Sequence, residues 1–290
     1  MNKIHEIMHL FVCPDDYSEL IFSEDMLSCK YCKRKFTIDG NLIDFRPKKE
    51  IKIVDKEKIN SIYRSYYKNL IKDGLPGKDF GTFGLVSNSV SKGFVKETLL
   101  HMQHFLKKNN IVCDIGAGTG DYSIELAKSC KIMLHCDLDT NGIRLARENA
   151  QIKKIDNIFF LMCDYFKLPF KNKVIDLAYT IDIIERGILH DTKVLQEILR
   201  ITKDEGSIIF DCHAKERSKL TKRYPKEINL YSNDEIKELV KKIELKVVEI
   251  VGTGFIPQIR KWSSIEYCIL NPIAKKMLFP PARWLLRCRK

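Results

Sequence analysis

The stretch that most constrains this chain is Ile111-Val112-Cys113-Asp114-Ile115-Gly116-Ala117-Gly118-Thr119-Gly120, followed by DYSIELAKSC. An apolar run with strand character enters a glycine-rich turn, and a helical pattern with Ile124, Leu126 and Ala127 on its buried side leaves it. Glycines there accept backbone angles closed to other residues and let the main chain approach a ligand. From residue 61 onward strand-like and helix-like patterns alternate, which predicts an α/β fold with a mostly parallel sheet. Open sheets of that kind bind ligands beyond the carboxyl ends of their strands, so the turn also says where a site lies.

The spacing is D-x-G-x-G-x-G, with Asp114 ahead of the first glycine, and differs from the dinucleotide fingerprint G-x-G-x-x-G. It resembles motif I of class I S-adenosylmethionine-dependent methyltransferases, and the sequence downstream agrees in order and spacing. The resemblance implies a Rossmann-like seven-stranded sheet with helices on both faces, and S-adenosyl-L-methionine as cofactor. Asp114, Gly116, Ala117, Gly118 and Gly120 then form the cofactor turn. The strand KIMLHCDLD ends in Asp137-Leu138, where the family's acid holds the two ribose hydroxyls, a task that suits a carboxylate with several acceptor sites; Asp139 is the near alternative. NIFFLMCD delivers Cys163, Asp164 and Tyr165, with Asp164 matching the acid at the adenine amino group and KLPF following at 167–170. VIDLAYTID, carrying Asp176 and Thr180, is expected as strand four, with Thr180 at the cofactor side. The helix KVLQEILRITK leads into strand five, GSIIFDCH, and KVVEIVGTGFIPQ and ARWLLRCRK resemble the sixth strand and the final antiparallel one. Each acid taken singly also reads as a helix cap or turn residue.

Asp182, Glu185 and His213 follow strands four and five and are expected to face the acceptor cleft. Any of them is a candidate general base, His213 being best matched to neutral pH, while hydrogen bonding to neighbouring helices is the competing reading. Methyl transfer from a sulfonium runs downhill, so alignment alone can suffice. Before the turn, Tyr63, Tyr66 and Tyr67 resemble the family's aromatic N-terminal helix, or else a core-facing stripe; Gly74, Gly77, Gly81 and Gly84 suggest a lid.

The first residues are organised differently. Cys13 lies ahead of a C-x-x-C formed by Cys29 and Cys32, and Asp16 occupies the place where a second such pair would end. That spacing suits a zinc ribbon in which a carboxylate serves as fourth ligand, Asp15 being the substitute; a metal-free ribbon folded on Leu20, Ile21, Phe36, Ile38, Leu42 and Ile43 is the alternative. The segment resembles the Trm112-like zinc ribbon in Cys13-Pro14, the C-x-x-C and the Asp39-Gly40 turn before Phe45-Arg46-Pro47, and departs from it at Asp16. The expected organisation is a zinc-ribbon-like β domain over 1–46, a polar linker over 47–60 and a methyltransferase domain over 61–290.

Charged residues at 30% and hydrophobic ones at 44% exclude a disordered chain, and no apolar run approaches the ~20 residues of a membrane span. With no secretory signal pattern and ten scattered cysteines, a cytoplasmic location is expected. The net charge of +12 is concentrated late: residues 214–226 hold six basic and one acidic side chain, and residues 257–290 eight and one. Such clusters attract nucleic acid or an acidic membrane surface, or form a solvated face. No Asn/Asp-Pro-Pro-Tyr/Phe follows strand four and no Pro-Cys pair is placed to attack a pyrimidine, which demotes base methylation. WSSIEYCILNPIAKKMLF is apolar with basic flanks, suited to an interfacial segment, a pocket wall or a core-packed helix. The expectation is a methyltransferase acting at O, N or C of a small hydrophobic or lipid-linked acceptor, with peripheral contact to the inner face of the membrane. RNA is the alternative acceptor. A non-catalytic scaffold is the second alternative, opposed by the complete set of turn glycines and acids.

Overall fold

The computed structural model describes residues 3–23, 26–47, 89–218, 228–256 and 264–290. Tyr63, Tyr66, Tyr67, the lid glycines, the linker beyond residue 47, residues 219–226 of the first basic segment and residues 257–263 of the second lie outside the described residues.

Four short strands open the chain, β1 (Leu20–Ser23), β2 (Met26–Cys29), β3 (Lys35–Asp39) and β4 (Leu42–Asp44). Helix α1 (Ser89–Gln103) precedes β5 (Ile111–Ile115), α2 (Ser123–Ala127), β6 (Ile132–Asp137), α3 (Thr140–Ile152) and β7 (Ile158–Met162). Then follow β8 (Ile175–Thr180), α4 (Ile188–Ile201), β9 (Thr202–His213), α5 (Lys215–Ser218), α6 (Asn233–Lys242), β10 (Lys246–Thr253), α7 (Ser264–Lys276) and β11 (Arg283–Arg289). The sheet order is β1-β2-β3-β4-β7-β6-β5-β8-β9-β11-β10. Its seven strands from β7 to β10 have the expected Rossmann-like arrangement, parallel from β7 to β9, with β11 antiparallel to both β9 and β10.

The central strands read as unbroken apolar runs because both faces are covered. Alternation divides them: Cys113, Leu134, Leu161 and Ala178 enter one core with α4 and α6, and Val112, Met133, Phe160 and Leu177 enter the other with α2 and α3. Asp139 caps α3, its carboxylate accepting from Asn141 N and Gly142 N at 2.9 Å each, and Ser232 and Glu235 close a capping box on α6. Helix α4 starts at Ile188, five residues before the expected KVLQEILRITK, and ends at Ile201 because Thr202 and Lys203 already belong to β9.

The amino-terminal strands continue the same sheet. β4 pairs in parallel with β7, Leu42 opposite Phe160 and Asp44 opposite Met162. Val12 N donates to Pro169 O at 3.0 Å, Lys171 N to Leu10 O at 2.8 Å, and Phe11, Phe36 and Phe45 join the core that contains α4. The Arg200 guanidinium lies 4.6 Å from the centre of the Tyr17 ring.

Candidate functional site

The turn between β5 and α2 is left-handed at Gly116, Gly118 and Gly120, with φ of 74°, 55° and 84°. A side chain would be excluded twice over: a Cβ on Gly116 would lie 2.7 Å from Ile183 Cδ1, and one on Gly120 would lie 2.9 Å from Ile124 Cδ1. Cys136 O accepts from Gly116 N and Ala117 N at 2.8 and 3.0 Å, which binds the turn to the end of β6.

Asp137 stands at that end. Its Oδ2 accepts from Gly118 N at 2.7 Å and its Oδ1 from Asp139 N at 2.8 Å, so one carboxylate braces both loops and retains acceptor capacity beyond those two bonds. Burial pushes its pKa up. Asp139, the alternative, is occupied in capping α3. Asp164 follows β7, buried to 2% exposure, with Oδ1 accepting from Phe166 N at 3.1 Å. Cys163 N donates to Asp137 O at 3.0 Å, so the two acids and the glycine turn meet at the carboxyl ends of β5, β6 and β7, with the half-buried Leu138 and Tyr165 beside them. Thr180 points inward, donating to Ile115 O at 2.8 Å at the root of the turn. Asp114 is buried, and its carboxyl is pushed up to about 8, opposed by the Tyr179 and Ser123 hydroxyls and reinforced by the Asp137 charge.

His135 escaped the sequence reading. It is fully buried beneath the turn, its Nδ1 2.8 Å from Ser123 Oγ, and burial lowers its pKa to about 3. The only signal was a histidine inside an apolar strand, a pattern that fits a core position as well as a functional one.

Asp182, Glu185 and His213 converge at the ends of β8 and β9. His213 Nε2 lies 3.1 Å from Glu185 Oε2. Burial opposes the imidazolium, yet the hydrogen bond and charge of Glu185, with Asp211, leave the His213 pKa raised. The residue that ties this cluster together is Arg283, 4% exposed, which pairs with Asp182, with Glu185 Oε2 at 3.4 Å and, through Nε, with Asp211 Oδ2 at 2.6 Å. Asp182 holds a left-handed φ of 64°, and its N–H donates to Asp211 Oδ1 at 2.8 Å. Arg283 sits at the start of β11 opposite His213, a register no local pattern announces.

A second cluster lies in the amino-terminal strands. Cys13, Asp16, Cys29 and Cys32 present ligand atoms within 4.8 Å of one another. Cys13 Sγ is 3.7 Å from Cys32 Sγ, and Cys29 Sγ is 3.5 Å from both Asp16 oxygens, close to the edge of about 3.8 Å in a tetrahedron with 2.3 Å zinc–sulfur bonds. Tyr31 N and Cys32 N both donate to Cys29 Sγ at 3.4 Å, which fixes the sulfur in the turn. Burial opposes the charge on Asp16, but the Ser18 N–H and the Cys13 and Cys29 thiols outweigh it and lower the pKa to about 2. Asp15 points elsewhere, paired with Arg34 at 2.8 Å.

The chain resembles known methyltransferases at two levels. The ubiquinone/menaquinone biosynthesis C-methyltransferase UbiE of Brucella abortus is 37% identical over 101 residues, 33% of this chain and 37% of the relative. The ribosomal protein L11 methyltransferase of Caldanaerobacter subterraneus is 25% identical over 195 residues, covering 59% of this chain and 58% of its own. The chain thus spans less than two thirds of these relatives. In fold it resembles the putative methyltransferase complexed with the Trm112 activator of Haloferax volcanii, with a TM-score of 0.55, 16% identity and coverage of 78% of this chain and 96% of the other. Magnesium protoporphyrin IX methyltransferase of Synechocystis, with bound S-adenosylmethionine, gives a TM-score of 0.55 at 13% identity, covering 83% and 100%. Residues 106–263, more than half of the 290-residue chain, match the family model described as methyltransferase domain, and the chain belongs to that family.

Proposed function

We propose that this chain is an S-adenosylmethionine-dependent methyltransferase that acts on a small hydrophobic or lipid-linked acceptor. The observation that carries the reading is the convergence of the left-handed glycine turn with Asp137 and Asp164 at the carboxyl ends of adjacent strands. The turn offers backbone to the cofactor, Asp137 holds the ribose hydroxyls, and Asp164 accepts from the adenine amino group. The bound cofactor supplies an activated methyl on a positive sulfur. What remains for the protein is alignment, exclusion of water and removal of a proton where the acceptor carries one. His213 is the candidate for that proton, with Glu185 holding the ring by the 3.1 Å contact and Arg283 neutralising the acids around it.

Support for this acceptor class comes from the apolar residues that follow β10 and precede β11. Phe255, Ile256 and Ala274, with Leu270 and Phe279 against them, form a separate apolar cluster between β10 and β11. An apolar neighbourhood of that kind suits a hydrocarbon acceptor better than a nucleotide. The UbiE relatives are named for quinone biosynthesis, which agrees with such an acceptor. The proposal extends to a structural zinc held by Cys13, Asp16, Cys29 and Cys32, whose spacing and N–H···S bonds fit the ion.

The test supplies radiolabelled S-adenosylmethionine to the purified protein with cell membranes and total RNA. Label in the solvent-extractable fraction is the expected result. Label confined to nuclease-sensitive material would replace the acceptor with RNA, and failure to bind S-adenosylhomocysteine at millimolar concentration would remove the activity itself.

A further inference from the structure

The described start of the first basic segment, residues 214–218, lies against both ends of the insertion that carries α7. Thr253, Arg283 and His213 form one row across β10, β11 and β9, so the chain leaves β10 level with the His213 cluster and returns to the same level after α7. Arg217, 2% exposed in α5, donates to Phe255 O at 3.0 Å and Pro280 O at 2.8 Å through Nη1, and to Ile256 O at 2.5 Å through Nη2. It thereby fastens the root of the first basic segment to both ends of the insertion that carries α7.

Helix α7 is held firmly on one side. Asn271 Oδ1 accepts from Phe255 N at 2.6 Å and from Ile256 N at 3.3 Å, and its Nδ2 donates to Glu97 of α1 at 3.2 Å. The opposite side carries Ile269 and Ile273, 58% and 47% exposed, and the turn just past the helix continues the row with Met277 at 67% and Leu278 at 90%. Lys275 and Lys276 are exposed among them, and Glu266 is the single acid of residues 257–290. An apolar stripe with basic neighbours, fixed in orientation by its buried side, is unlike the scattered exposed apolar residues of an ordinary surface.

We infer that the outer face of α7 docks this protein on an anionic membrane surface, beside the cleft that receives the acceptor. The inference rests on the proposed hydrophobic or lipid-linked acceptor and names where that acceptor is met. Charge decides the occupant. An antiparallel second copy could set Glu266 against one lysine of its partner but would leave the other lysine of each copy unmatched, and RNA would engage the lysines but leave the isoleucines in water. Anionic headgroups pair with the lysines while Ile269, Ile273, Met277 and Leu278 enter the headgroup–acyl boundary.

Co-sedimentation with vesicles of mixed phosphatidylglycerol and phosphatidylcholine, beside pure phosphatidylcholine, is the test. The wild type is expected to bind the anionic vesicles at least about tenfold more tightly than the neutral ones. Ile273→Ser with Met277→Ser, and separately Lys275→Glu with Lys276→Glu, are each expected to weaken that binding at least about tenfold while affinity for S-adenosylhomocysteine is unchanged. Equal binding by variant and wild type overturns the inference, as does absence of vesicle binding. A dimer broken by the serine pair without vesicle binding would assign the face to a second copy. Salt-sensitive RNA binding indifferent to the serine pair would assign the lysines to RNA. Vesicle binding by a protein that does not bind S-adenosylhomocysteine would leave the docking face standing and remove the methyltransferase reading.

Discussion

Asp137 acts at two distances. It is bonded to Gly118 N and Asp139 N, and in the proposed complex it adds charge-assisted bonds of about 1.5–3 kcal/mol each to the ribose hydroxyls. Asp137→Ala is expected to weaken S-adenosylhomocysteine at least about tenfold by calorimetry, and an unchanged affinity would sink its assignment. The fully buried His135 and the half-buried His213 set the pH dependence of stability in opposite senses. His135 is held neutral down to about 3 by burial, whereas the unfolded chain takes its proton near 6.5. Its stability is therefore complete above 6.5 and falls as pH drops toward 3, by roughly a few kcal/mol, with His101, also lowered by burial, acting in the same sense. His213 is raised by Glu185 against its burial, so its contribution is present below 6.5 and is lost as pH rises through the raised value. Urea unfolding between pH 5 and 9 checks this: His135→Asn is expected to flatten the acid limb and Glu185→Gln the alkaline limb. A pH profile the same in both variants as in the wild type would refute both arguments. The placing of Asp137 at the end of β6 and of Asp164 just after β7 was legible from the strand patterns that lead into them. Arg283 and His135 were not, since their roles depend on partners set by strand register, such as Asp182 and Asp211 far earlier in the chain.

Among the elements, the mostly parallel α/β sheet follows from alternation of strand and helix patterns and its seven-stranded form from the family resemblance, and the early start of α4 is what periodicity misses where Gly187 and the exposed Ile188 and Leu189 precede the buried stripe. The pairing of β4 with β7 had no local signature. Three residues, Leu42 to Asp44, find Phe160 to Met162 more than a hundred positions away, and only the tertiary fold selects that partner. The pairing gives the ribbon a consequence beyond itself, because it covers an edge of the sheet that β7 would otherwise expose. Metal analysis of protein purified without chelator is expected to find about one zinc per chain, and Cys29→Ser to lose it. The melting temperature is expected to fall in the variant and in chelator-treated wild type. A metal-free wild type that melts at the same temperature with and without chelator would mean that the ribbon stands on Phe11, Phe36 and Phe45 alone.

At the scale of the whole molecule, Arg217 ties the start of the first basic segment to both ends of the insertion that carries α7. Composition along the chain could locate the positive charge but not this fastening, which is one guanidinium reaching carbonyls at residues 255, 256 and 280. Arg217→Met removes every one of those donors at once, and buried carbonyls without partners cost about 1–3 kcal/mol each. Arg217→Lys, a single ammonium, cannot reproduce the fork. Both variants are expected to raise amide exchange within Ser264–Lys276 and at Phe255 and Ile256, while β5, β6 and β8 keep their protection, because Arg217 holds the carbonyls at both ends of the insertion and does not reach the central strands. Exchange that rises equally in the central strands would make Arg217 a determinant of global stability and no more. If the rise is local, the vesicle affinity of Arg217→Lys is expected to fall with it while S-adenosylhomocysteine binding persists, since the glycine turn lies on strands that Arg217 does not touch.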